Sequence, residues 1–250
     1  GLFPSSASIP TGLGKTSVVA VWLIALAKYP AIVPRRLVYV VNRRTVVDQT
    51  TAEVENLRKN LVEQDVLAEL AAKLNGLAAL PCDSPLAIST LRGQFADNGD
   101  WRRDPARPAV IIGTVDMIGS SLLFSRYNAS FRMRPLHAGL LGQDTLVVHD
   151  EAHLEPAFQT LLAEIAAVQN GGDSKPSSPR DFKPLRVMAL TATSRSDASP
   201  FALTNDDRLR RADAIARSRE AQHLTRRGLR DIAGAIERLG GVDHRDARRK

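Results

Sequence analysis

Ile9-Pro-Thr-Gly-Leu-Gly-Lys-Thr16 runs straight into Ser17-Val-Val-Ala-Val-Trp-Leu-Ile-Ala-Leu-Ala-Lys28, and this junction decides the fold. A turn bearing Gly12 and Gly14, closed by Lys15 and Thr16, opens a strongly apolar helix that ends before Pro30, as helices commonly do before proline. Glycines let backbone amides approach phosphate oxygens closely, and a helix N-terminus adds a favourable dipole. Thr11, Gly12, Leu13, Gly14, Lys15 and Thr16 therefore form a candidate phosphate cradle. In it the Lys15 ammonium reaches the β and γ phosphates and the Thr16 hydroxyl faces a magnesium ion. The full phosphate-loop pattern would place glycine where Ile9 stands.

Working outward, short apolar segments alternate with longer helical patterns, the signature of βα units and a mainly parallel sheet. Strands are expected near Arg36–Val41, Leu86–Thr90, Ala109–Gly113, Thr145–His149 and Leu185–Leu190. A helix is expected from about Lys15 to Lys28. Another begins near Thr45, with Val47, Thr50, Val54, Leu57 and Leu61 along one face. Asn170 to Pro184, rich in Gly, Ser and Pro, reads as an exposed loop joining two strands. The resulting expectation is an α/β nucleotide-binding domain over residues 1–204 and a charged, helical tail over 205–250.

Thr145-Leu-Val-Val-His149 leads into Asp150-Glu151-Ala152-His153, a strand ending in two adjacent carboxylates. Taken alone, such a pair caps a helix. Downstream of a phosphate loop, Asp150 becomes the candidate holder of magnesium and Glu151 the base that orients the attacking water. His149 reads as a partly buried strand histidine. Leu190-Thr191-Ala192-Thr193 follows another apolar strand and would be an ordinary turn without the two motifs before it.

Phosphate loop, Asp-Glu-Ala-His and Thr-Ala-Thr, in that order, resemble motifs I, II and III of superfamily 2 helicases, in which the first glycine of the loop is often absent. The resemblance implies a RecA-like domain that binds ATP and Mg2+, with His153, Thr191 and Thr193 coupling nucleotide state to movement. Val38 to Gln49 resembles the motif that contacts the nucleic-acid backbone, and Gly113-Thr-Val-Asp-Met117 resembles the next such motif. Arg43, Arg44 and Thr114 are then the candidate contacts to single-stranded DNA, with RNA not excluded. Together with Leu91-Arg92-Gly93, these segments look most like the CRISPR-associated helicase-nuclease of type I systems, over roughly Ile9 to Leu203. Its partner would be a guide-RNA surveillance complex. Two other readings share motifs I to III: the motor of a restriction enzyme, and a nucleotide-binding remnant without turnover.

In the superfamily a second RecA-like domain supplies arginines worth about 10³ to 10⁵ in rate. The chain alone is therefore expected to bind ATP and turn it over slowly. Gln222 to Arg230 is read as an exposed basic helix and not as that arginine motif. No nuclease centre is expected, because the five histidines are scattered, and residues 1–9 are too short for the usual adenine-recognition segment.

Composition bounds this reading without supplying it. With 44% hydrophobic and 24% charged residues in 250, the chain can bury a substantial core. Of the net charge of +7, residues 205–250 carry +5, from 13 basic and 8 acidic side chains, so basicity says little about the remainder. One cysteine, Cys82, excludes an intramolecular disulfide framework. The longest apolar run, Val18 to Ala27, is too short for a membrane span. A cytoplasmic protein is expected.

Overall fold

Strands that are apolar on both sides must be covered on both faces, and the aliphatic runs of this chain are used that way. The computed structural model describes residues 4–8, 14–91, 98–126, 129–171, 183–191 and 201–202. In chain order the elements are β1 (Ser6–Ser8), α1 (Ser17–Lys28), β2 (Arg36–Val41), α2 (Arg44–Glu63), α3 (Ala68–Asn75), β3 (Ala87–Leu91) and α4 (Asp100–Arg103). They continue with β4 (Ala109–Thr114), α5 (Val115–Leu122), α6 (Arg134–Gly142), β5 (Thr145–Asp150), α7 (Pro156–Gln169), β6 (Arg186–Thr191) and β7 (Phe201–Ala202).

The sheet order is β3-β4-β2-β5-β6-β1-β7, and every pairing is parallel. Parallel neighbours require crossovers, and crossovers are right-handed. The direction of each step therefore decides which face its helix covers. The steps β1 to β2 and β2 to β3 run one way along the sheet, and their helices α1, α2 and α3 share one core with Leu37, Tyr39, Val41, Val110, Ile112 and Val148. The steps β3 to β4, β4 to β5 and β5 to β6 run the other way. Trp101 of α4, Met117, Ile118 and Leu122 of α5, Leu140 and Leu141 of α6, and Phe158 and Leu162 of α7 share the opposite core with Val38, Val40, Ile111 and Val147. Alternate residues of β2 thus serve alternate cores, and all six are buried.

The amino edge of the sheet is pinned by polar groups that the apolar pattern does not announce. Arg36, 5% exposed, donates to the carbonyls of Pro105 (2.8 Å) and Gln143 (2.7 Å). Burial lowers its pKa, against the favourable charge of Asp144. Asp144, in the left-handed region at φ 49, accepts from the Arg35 amide (3.0 Å) and faces Lys183 (3.4 Å). Lys183 in turn donates to the carbonyls of Pro30 (2.7 Å) and Val33 (2.8 Å).

All five expected strands form within one residue of their expected limits. The helix expected from Lys15 starts at Ser17, with Thr16 as its cap, and the helix expected near Thr45 starts at Arg44. Two corrections follow. The three-residue strand β1 lies just before the phosphate loop, where Ser6-Ala-Ser8 offers no apolar run to mark it. The step from β5 to β6 contains a helix, α7, that was not expected; of the expected loop from Asn170 to Pro184, residues 172–182 lie outside the described residues. The expected tail over 205–250 lies outside the described residues. Among those described, no helix is long and apolar enough to cross a membrane.

Trp22 anchors the α1 side. It is fully buried, and its indole N–H donates to the Pro34 carbonyl at 2.8 Å. Trp22→Ala is expected to cost about 3–5 kcal/mol of unfolding free energy. Trp22→Phe, which fills most of the space but orphans the carbonyl, should cost about 1–3 kcal/mol. Urea unfolding checks the order, and equal stability of the two variants would contradict it.

Candidate functional site

Because every strand runs the same way, the residues that follow each strand gather at one edge. The registers place Ser8 beside Thr191, Asp150 beside Leu190, and Val41 beside Thr114. Lys15 and Thr16 follow β1, Arg43 and Arg44 follow β2, Asp150 and Glu151 close β5, and Thr191 closes β6.

Gly14 holds φ at +70, a conformation open to glycine but costly for other residues, and its carbonyl accepts the Ser17 amide at 2.8 Å to start α1. A Cβ at Gly14 would also lie 3.1 Å from the Ser17 hydroxyl. The turn aims Lys15 across the sheet edge. Its ammonium, 8% exposed, donates to Asp150 Oδ1 at 3.0 Å and to Glu151 Oε1. Burial opposes the charge of Lys15, but the hydrogen bonds and charges of the two carboxylates outweigh it, so its pKa stands above the ordinary lysine value.

Asp150 accepts on both oxygens. Oδ1 takes Lys15 and the Glu151 amide (2.9 Å), and Oδ2 takes the phenol of Tyr39 at 3.4 Å. Glu151 sits in the left-handed region at φ 52, ψ 42, a strain on the order of 1–2 kcal/mol for a residue with a side chain. Its carbonyl accepts the Leu154 amide (2.9 Å), which closes a short 3-10 turn over Ala152–Leu154. That turn brings the His153 Nδ1 to 3.6 Å from Glu151 Oε2. Strain located at the second carboxylate fits a group held for chemistry.

The structure therefore brings together Lys15, Thr16, Asp150, Glu151 and His153. Thr191 ends β6 on the same edge, half-buried. Thr11, Gly12, Leu13 and Thr193 lie outside the described residues. Arg43, Arg44 and Thr114 stand apart from the carboxylates, toward the β2–β4 side. Arg43 is exposed and caps α2, and its carbonyl accepts the Val46 and Val47 amides. Thr114, half-buried, caps α5 in an extended conformation. His149 is fully buried, with the Gln159 amide at Nδ1 and the Phe158 ring edge-on at 5.1 Å. Burial pushes its pKa down to about 4, so it is neutral and structural.

Two residues escaped the sequence reading. Tyr39 gave one signal: a lone phenol in an aliphatic strand needs a polar partner when buried. Asn42, whose amide oxygen and nitrogen are shielded from solvent and unpartnered, gave none.

The donor set suits magnesium, which takes hard oxygen ligands, keeps several waters and relies on one or two carboxylates plus phosphates. Among the described residues no group of three or more His, Cys, Asp or Glu gathers to hold a metal by itself.

A family profile described as "Type III restriction enzyme, res subunit" matches residues 5–196. The chain belongs to that family. It is thereby a superfamily 2 helicase-type motor domain, of RecA-like fold, in a family of ATP-dependent enzymes. No curated protein matches the sequence. Among solved structures, the chain is similar to a nuclease-deletion mutant of the type ISP restriction-modification enzyme LlaGI in complex with a DNA substrate mimic, at 15% identity and TM-score 0.46. That match covers 88% of this chain and 20% of the other. It is also similar to the yeast DEAD-box splicing factor Prp28, at 13% identity, TM-score 0.45 and coverage of 76% and 36%. The helicase domain of Pyrococcus furiosus Hef gives 20% identity, TM-score 0.40 and coverage of 77% and 31%. The chain thus spans about a fifth to a third of these longer chains.

The neutral His149 sets an acid limit. Its pKa is lower folded than unfolded, so the unfolded chain binds the extra proton. The stability it confers is full above about 6.5, the ordinary histidine value, and is lost as pH falls through about 4. The maximum loss is roughly 3 kcal/mol at 1.36 kcal/mol per pKa unit. Urea unfolding at pH 7 and pH 4.5 should therefore show a smaller drop for His149→Leu than for the wild type. An equal drop would mean that His149 does not carry this proton linkage.

Proposed function

We propose that this chain is the ATP-driven motor domain of a DNA translocase, and that Lys15, Thr16, Asp150 and Glu151 are its nucleotide machinery. The observation that carries the reading is the convergence of Lys15 with Asp150 and Glu151 across 135 residues of sequence at the carboxyl edge of a parallel sheet. Thr11, Gly12, Leu13 and Gly14 complete the phosphate cradle. Thr16 and Asp150 would hold Mg2+, which when bound screens phosphate charge and fixes the reacting oxygens. Lys15 bonds to both carboxylates. Arriving phosphates compete for its ammonium, and Glu151, released from it, is left to orient the attacking water. His153, Thr191 and Thr193 would relay the nucleotide state. Their places beside Glu151 and at the end of the adjoining strand support this role for His153 and Thr191.

Arg43, Arg44 and Thr114 are proposed to track the sugar-phosphate backbone of single-stranded DNA. Arg43 and Arg44 are exposed just after β2, whose last residue, Val41, pairs with Thr114 at the end of β4. The recruiting system we propose is type I CRISPR interference, on the resemblance of Val38–Gln49, Leu91–Gly93 and Gly113–Met117, with a surveillance complex as partner. The motor of a restriction enzyme is the second reading, favoured by the family match over residues 5–196. Copurification with a guide-RNA complex, against copurification with methyltransferase and specificity subunits, separates the two.

Two outcomes test the motor itself. Lys15→Ala should lose magnesium-dependent binding of a fluorescent ATP analogue, and Glu151→Gln should retain binding while single-turnover phosphate release falls at least 100-fold, on the order expected for a positioned base. Wild-type affinity in Lys15→Ala would overturn the assignment. Single-strand affinity should also fall as salt rises, with a log–log slope reduced by roughly one for each of Arg43→Ala and Arg44→Ala. Unchanged slopes in both variants would remove these arginines from the interface.

A further inference from the structure

Tyr39 is the one polar side chain of the central strand β2 that points into the core beneath α1, and it is 1% exposed. Its hydroxyl faces Asp150 Oδ2 at 3.4 Å. A carboxylate can only accept, so Tyr39 donates to Asp150.

Asp150 thus has Oδ2 engaged from the buried side while Oδ1 faces Lys15 and the site. We propose that Tyr39 is a positioning residue of the nucleotide site, orienting Asp150 for a divalent cation through its buried hydroxyl. This inference rests on the reading of Asp150 as a magnesium holder.

The test separates metal binding from nucleotide binding. Magnesium is titrated into the 250-residue chain at a fixed concentration of fluorescent ATP analogue, for the wild type and for Tyr39→Phe, and nucleotide is titrated separately in excess EDTA. Tyr39→Phe should raise the half-saturating magnesium concentration about 10- to 100-fold, as expected when a group that orients a metal ligand is removed. Its affinity in EDTA should equal that of the wild type, because Lys15 and the loop are untouched. Equal magnesium dependence in wild type and Tyr39→Phe overturns the proposal alone. Equal losses with magnesium and in EDTA overturn it as well, by making Tyr39 a packing residue. Tyr39→Met, which also removes the hydroxyl but keeps an apolar side chain, is read by the same criteria should Tyr39→Phe fail to fold. Wild-type binding that ignores magnesium removes the underlying site reading, and the proposal goes with it.

Discussion

A parallel sheet has two unlike edges, and this protein depends on that inequality. Each strand ends where its neighbours end, so the carboxyl ends of β1, β2, β4, β5 and β6 lie side by side although up to 183 residues separate them, from Ser8 to Thr191. The handedness of crossovers then sends α1 to α3 to one face and α4 to α7 to the other. No local feature of Lys15 or Asp150 creates their contact. The shared direction of β1, β6 and β5 does, and a single antiparallel strand among them would separate the two residues by a strand length.

Within that edge the dominant interaction is the Lys15 ammonium between Asp150 and Glu151. Two adjacent carboxylates repel, and the left-handed backbone at Glu151 adds strain. Lys15, bonded to both side chains, offsets part of that cost.

Much of this was legible in the sequence, for reasons that differ by residue. Strands β2, β4 and β5 were marked because both faces are buried and the sequence is aliphatic throughout. Lys15, Asp150 and Glu151 were marked because their chemistry demands particular residue types at strand ends. β1 was not, since three small residues beside β6 need no apolar signature when the register with Ala189, Leu190 and Thr191 supplies the pairing. Arg36, Asp144 and Lys183 were invisible for another reason. Their partners are backbone carbonyls and amides brought in by tertiary structure, and a charged residue next to an apolar strand reads as its solvated end. Residues 11–13, 192–200 and 203–250 carry expectations that the described structure does not reach.

Strand β2 joins the two halves of the edge. Tyr39 stands at its fourth residue and reaches Asp150 on β5, whereas Arg43 follows two residues after the strand's end, where Val41 pairs with Thr114 of β4. Residues two apart in a strand share a face, so Tyr39 and Val41 are fixed in the same core, and that core is packed against α1, which begins at Ser17. Tyr39 cannot move alone in a strand hydrogen-bonded on both sides. A displacement of Asp150 toward or away from Tyr39 is therefore carried by β2 or resisted by it, and the same strand leads into Arg43 and Arg44.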